Sequence, residues 1–224
     1  MDWEAIGLSL RLSACATAVL VCLGMPLAWW LGRTRWRGRH FIEAVVALPI
    51  VLPPTVLGYY VLLAIGPHSP VGRMYESIFG LRLPFSFQGL LAASVLYSLP
   101  FAVQPFMGAF ATLDRRLLEA SWSLGESRLR TFFRVALPLS WPGVLSGIVL
   151  SFAHTMGEFG VVLMVGGNLR GQTRTISISI YDHVQALDYQ AANMTSLAML
   201  VFSFVVLAVT FGLQRRFAPS WFTR

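Results

Sequence analysis

Residues 89–113 read GLLAASVLYSLPFAVQPFMGAFATL, and residues 114–141 read DRRLLEASWSLGESRLRTFFRVALPLSW. The first stretch carries no Asp, Glu, Lys or Arg over 25 residues. As a helix it is long enough to cross a hydrocarbon core of about 30 Å with some tilt. The second stretch is amphipathic and rich in arginine. An uncharged span that delivers the chain into a charged insert is a membrane protein's pattern, and four further apolar runs repeat it.

Those runs are residues 8–31, with Arg11 near its start; 42–65, with Glu43 at its edge; 143–166, with Glu158; and 191–213, with no charge. The expectation is an all-α integral membrane protein: one transmembrane domain over 1–224, a bundle of five helices. A sixth follows if Thr173–Gln190, which carries Ile176, Ile178, Ile180 and Val184, dips into the bilayer. Composition agrees. The chain is 56% hydrophobic and 12% charged, about half the charged share of a soluble domain, and its mean hydropathy is +0.66. A soluble nucleic-acid binder, a secreted disulfide scaffold and a disordered chain all fit poorly. Cys15 and Cys22, seven apart in one apolar run, stand about two helical turns apart. That exceeds the reach of a disulfide, so they read as small buried hydrophobes. The leader Met1–Gly7 has Asp2 and Glu4 and no basic residue, unlike a secretory signal, so the first run reads as a mature helix.

Every one of the 17 basic residues is Arg. If five helices alternate, twelve fall on one side: four in residues 32–41, five in 114–141 and three after Leu213. Arg73, Arg82, Arg170 and Arg174 fall on the other. The positive-inside rule makes the richer side cytoplasmic, with the N-terminus outside and the C-terminus inside. The formal charge of +7 therefore records topology and gives no reason to expect nucleic acid. On the outside, Met74–Phe79 reads as a short surface helix between proline and glycine turns.

Two features break the apolar pattern. Pro49, Pro53 and Pro54 interrupt the second run. Proline removes a backbone donor, and in lipid the freed carbonyls need partners from neighbouring helices, hydroxyls or water. The break serves either packing or a wet pathway. In the insert, two amphipathic segments flank Gly125. Leu117, Leu118, Trp122 and Leu124 lie among Arg115, Arg116 and Glu119; Leu129, Phe132, Phe133 and Ala136 lie among Arg128, Arg130 and Arg134. Glycine suits the left-handed residue at which a helix ends, and Pro138 and Pro142 stop the second segment. Such a helix–glycine–helix unit fits a groove on another protein or an anionic lipid surface.

The order Glu119-Ala120-Ser121, Gly125, Leu137-Pro138 resembles the EAA signature of permease subunits of bacterial ABC importers, with Ser121 in place of the second alanine. Leu48–Gly58, Met156-Gly-Glu-Phe-Gly160 and Gly166-Gly-Asn168 resemble the oxyanion branch of that family, the molybdate/tungstate and sulfate/thiosulfate permeases. Gly171–Ile176 is more similar to the molybdate permeases. The resemblance runs over about residues 8–213. It implies a homodimer in the bacterial inner membrane, two separate cytoplasmic ABC ATPase subunits and a periplasmic oxyanion-binding protein. It implies no cofactor and no catalysis in this chain, and with no Lys there is no P-loop.

On this resemblance the coupling residues are Glu119, Ala120, Ser121 and Gly125, with Leu117, Leu118, Trp122, Leu129, Phe132, Leu137 and Pro138 as apolar or structural support. A dianion path wants hydroxyls and helix N-termini. Candidates are Thr55 beside the proline break, Ser94 and Ser98, and Ser146, Ser151 and Thr155; the competing reading is helix–helix hydrogen bonding. Glu158 would repel a dianion, so it either pairs, with Arg11 or with backbone beside Gly157 and Gly160, or gates. His154 and Glu158, four apart, also invite a metal-dependent intramembrane enzyme, but such sites need three or more ligands and no second pair is present.

Overall fold

A proline pair decides where the second apolar run breaks. Leu52 and Pro53 are extended, at ψ 136° and 135°, as residues before proline tend to be. The computed structural model describes residues 2–217, with side chains to residue 212. In it the run is two helices, α2 (Arg39–Val51) and α3 (Pro54–Ile65), bent by 114°. The full order adds α1 (Trp3–Arg33), α4 (Pro70–Phe79), α5 (Phe87–Ala111), α6 (Arg115–Ser123), α7 (Arg128–Leu139), α8 (Trp141–Gly157), α9 (Gly160–Gly166), α10 (Ile176–Gln185) and α11 (Tyr189–Phe217). No strand occurs among the described residues.

Among the described residues, only α1, α5 and α11 are single helices long and apolar enough to cross a bilayer; the remaining runs are interrupted. The run expected over 143–166 starts at Trp141, breaks at Glu158 and Phe159 and resumes as α9. The interrupted runs nevertheless follow α5 from end to end. Val46 of α2 and Val144 of α8 join Leu31, Phe106 and Phe110 in one buried cluster. Val61 and Ile65 of α3 join Ala93, Val161 and Val165 in another, while Leu12, Leu90 and Val162 meet in a third. So α1 and α5 run parallel, and α2–α3 and α8–α9 run antiparallel to them. One end of the bundle therefore carries both residues 34–38 and the insert 112–140, and the two described arginine groups share that end.

The opposite end is tied by polar contacts. Arg174 pairs with Asp182 at 2.8 Å and Asp2 at 3.6 Å, Asn168 donates to Asp182 at 2.7 Å, and Ser9 Oγ accepts from Ile176 N at 2.8 Å. This anchors α10 across the start of α1. At ten residues it rises only about 15 Å, too little to make the sixth span. The surface helix read from Met74–Phe79 is longer, starting at Pro70 behind the Ser69 cap and stopping at Gly80, which takes φ +65°. Cys15 is half-buried and Cys22 is exposed on the flank of α1, so the second is not a core residue. The arginines expected in the tail lie outside the described side chains.

The helix α3 packs on α9 through small residues. A Cβ on Gly58 would sit 2.7 Å from Met164 Cβ, and one on Gly160 would sit 2.6 Å from Pro54 Cβ. Gly58→Val should therefore lower the thermal unfolding midpoint of the purified protein, at a cost of about 1–3 kcal/mol from overpacking. Gly108→Ala, where nothing lies within 4 Å, should leave the midpoint unchanged or raise it.

Candidate functional site: the charged insert and a membrane cleft

The insert folds on its own local chemistry. Asp114 Oδ1 caps α6 by accepting from Arg116 N at 2.9 Å, and Ser127 Oγ caps α7 by accepting from Arg130 N at 3.3 Å. Between the two helices Gly125 takes φ +84° and donates to Trp122 O at 2.9 Å, while Glu126 N donates to Ser121 O at 3.2 Å. A residue with a Cβ resists that left-handed turn. The two helices are also locked side by side, because Ser121 Oγ and Thr131 Oγ1 are buried 2.9 Å apart. Residues 132–136 relax to a π turn. There Phe132 meets Trp29 edge-on, with ring centroids 5.1 Å apart, and Trp29 in turn meets Phe110 at 5.2 Å. Insert, α1 and α5 thus share one aromatic cluster.

This packing divides the sequence-derived coupling set. Leu118 is buried, and Phe132 and Leu137 pack against the core; with Ser121 they hold the insert to its own chain. In this fold they lie beneath the loop, on its inward side. Leu117, Trp122, Leu124 and Leu129 stay exposed, Leu124 at 84% and Leu129 at 70%. Glu119, Ala120, Gly125 and Pro138 are also exposed. Glu119 pairs with Arg115 at 2.8 Å, and Glu126 takes Arg130 and Arg134.

In the membrane, the two helix breaks face each other across a cleft of about 630 Å³, lined by Pro54, Thr55, Tyr97, His154, Glu158 and Phe159 among others. Of the path candidates, the cleft gathers Thr55 and Glu158. Ser94 is buried beside the Glu158 carboxyl group without closing a hydrogen bond to either oxygen. Ser151 donates within its own helix to Ile148 O at 3.0 Å, whereas Ser98 Oγ lies 2.8 Å from Thr155 Oγ1 and 3.0 Å from His154 Nδ1 across the contact of α5 with α8. That is the helix–helix reading of membrane hydroxyls. Ser146 donates to Pro142 O at 2.9 Å, away from the cleft.

Neither pairing weighed for Glu158, with Arg11 or with backbone beside Gly157 and Gly160, forms. Arg11 is exposed and sits over the Phe87 ring at 4.6 Å, while Glu158 is buried with both oxygens unpartnered. Tyr97 and the imidazole of His154 line the same cleft. Neither was expected in a path; the sequence marked His154 only by its spacing of four from Glu158, and nothing marked Tyr97. The ring of His154 stacks on Phe101 at 3.8 Å and 21°.

The chain matches the profile of the binding-protein-dependent transport system inner membrane component over residues 24–223. It is 49% identical over 214 residues to the molybdenum transport system permease protein ModB of Azotobacter vinelandii, covering 96% of this chain and 95% of the relative. It is 35% identical to ModB of Haemophilus influenzae, covering 96% and 95%, and 31% identical to a probable sulfate transport system permease protein cysT of Chlorella vulgaris, covering 92% and 77%. In fold it is similar to a chain of a bacterial alginate ABC transporter in complex with an alginate pentasaccharide-bound periplasmic protein. There the TM-score is 0.76 at 19% identity, covering 95% of this chain and 78% of that one.

The Ser121–Thr131 contact yields a stability prediction. In a double-mutant cycle, Ser121→Ala and Thr131→Val should each lower the thermal midpoint, because each leaves the other hydroxyl buried and alone. The pair together should cost less than the sum of the two, with a coupling of about 1 kcal/mol.

Proposed function

The chain belongs to the family of binding-protein-dependent transport system inner membrane components, and on that premise we propose that it is the membrane-spanning subunit of an importer for molybdate. A multi-pass helical protein of this family is a permease of the inner membrane and not an enzyme; ATP hydrolysis lies with partner subunits. The observation that carries the substrate is the match of 49% identity, nearly end to end, with a permease named for molybdenum transport. The weaker match to a sulfate permease makes sulfate the reading to test against.

The proposed assembly is a homodimer with two ATPase subunits at the arginine-rich end and an oxyanion-binding protein at the end tied by Arg174. Shared placement of residues 34–38 and the insert at one end supports this arrangement through the positive-inside rule, with the N-terminus outside. The exposed Leu117, Leu124 and Leu129 support ATPase docking around Glu119, Ala120 and Gly125, because exposed leucines flanking a rigid turn are costly to leave in water. The buried lock through Ser121, Leu118 and Phe132 would pass a push on α6 into α1 and α5.

The anion path is proposed to run through the cleft between the two helix breaks. Thr55 offers a hydroxyl there, and Ser94 and Glu158 mark where a gate would move. A path should bind weakly enough to release, so the isolated subunit should show no tight molybdate binding.

Two outcomes follow. In proteoliposomes with the native binding protein and ATPase subunits, unlabelled molybdate should suppress labelled molybdate uptake far more effectively than sulfate does; stronger suppression by sulfate would assign the other anion. Leu117→Ala, Leu124→Ala and Leu129→Ala combined, or Gly125→Pro alone, should abolish uptake while the protein still inserts in the membrane. ATPase subunits should co-purify less with the triple variant, and unchanged assembly and uptake in both would remove the coupling assignment.

A further inference from the structure

A second cavity, of about 420 Å³, opens at the arginine-rich end, within the size range of small-ligand sites. The last turns of α1 supply Trp29, Trp30 and Arg33, α6 supplies Arg115 and Trp122, and α7 supplies Arg128. No carboxylate lines it. Glu119 and Glu126 are taken by Arg115, Arg130 and Arg134. Among the described residues no acidic group lies within ion-pair reach of Arg33 or Arg128, and the one contact seen for the Arg33 guanidinium is the Trp29 face at 4.9 Å.

We propose that this cavity is a binding site for the headgroup of an anionic phospholipid, clamped by Arg33 and Arg128 against tryptophan walls, with Arg115, already held by Glu119, lining its side. Guanidinium groups match phosphate oxygens in a two-pronged geometry, and basic pockets between membrane helices hold anionic headgroups. The place fits a lipid better than a free anion. Where the apolar run of α1 ends, Trp30 and Trp36 are 42% and 57% exposed with ring centroids 6.2 Å apart, and tryptophan at a span's end sits at headgroup depth.

The leucines proposed to face the ATPase lie on another side of α6. On α6, Arg115 and Trp122 are two turns apart on one side, while Leu117 and Leu124 are two turns apart on nearly the opposite side. A lipid seated here would bridge α1 to both insert helices and stiffen the joint through which the loop moves the bundle.

The test is native mass spectrometry of the assembled transporter with its ATPase subunits, titrated with phosphatidylglycerol or phosphatidylcholine. The wild type should retain phosphatidylglycerol preferentially. R33Q/R128Q should weaken that retention roughly tenfold or more, the order expected when two basic contacts are lost. R130Q/R134Q, whose arginines are paired with Glu126 and do not line the cavity, should keep the preference and serve as the control for general surface charge. Equal retention of the two lipids, an unchanged preference in R33Q/R128Q, or an equal loss in R130Q/R134Q would overturn the proposal. So would lipid binding to the isolated permease that disappears on assembly, which would give the cavity to the ATPase subunit. Displacement of phosphatidylglycerol by millimolar inorganic phosphate would assign the site to a free anion and overturn it as well.

Discussion

Backbone groups inside a bilayer have no water to turn to, and the architecture is arranged around two places where this chain leaves the helix anyway. Each break limits its own damage. At the first, Pro53 and Pro54 lack the donors that would be orphaned, and Val56 and Leu57 both return bonds to Pro53 O. At the second, Glu158 N reaches back to Thr155 O. The breaks also shelter each other, since Gly160 rests against Pro54 and Gly58 against Met164 so closely that no Cβ would fit. Irregular backbone in a membrane is tolerated when it is buried in protein or lines a cavity. Here it does both, and the cleft at Thr55 and Glu158 follows from that packing.

The same seam explains why α3 and α9, at twelve and seven residues, can be so short. Neither could span alone. Following α2 and α8 respectively across a break, each meets the part of α5 that the longer helix does not reach. A bent pair has a mechanical property that a straight helix lacks: two rigid pieces joined at a break can change their angle without stretching any hydrogen-bond ladder. At the far end of α5, Phe110, Trp29 and Phe132 clamp the insert to the bundle, so a displacement of the insert has a stiff route inward.

Length, charge and glycine placement were readable from the sequence because each is a local property. Five apolar runs, the arginine asymmetry and the turn at Gly125 need only the residues themselves. The sequence could not show which side of an amphipathic helix faces its own bundle. Leu117 and Leu118 are adjacent and chemically alike, yet one is exposed and the other buried, because α6 lies on α7 through Ser121 and Thr131. The partners of the hydroxyls were hidden for the same reason. Ser98 and Thr155 look like path residues by type, but the approach of α5 to α8 sets their hydroxyls against each other. Glu158 and Arg11 looked like a buried pair by charge, and the tertiary fold places Arg11 over an aromatic ring.

Driving a permease from one state almost wholly to the other takes about 5.5 kcal/mol of differential binding. Three exposed leucines on the insert, at about 1.5–3 kcal/mol each when fully buried, are of the right size to supply it. Phe132 and Leu118 cannot add to that sum, since they are already committed to the bundle in this state. Their share is to make the sum usable: an insert held loosely would swivel under its partner, and binding energy gained at Leu124 would never reach the breaks. The division of the loop into an exposed apolar side and an inward-locked side is therefore what a coupling element requires. On the proposed coupling role, the exposed side could gain and lose contacts with each cycle only if the locked side kept its own.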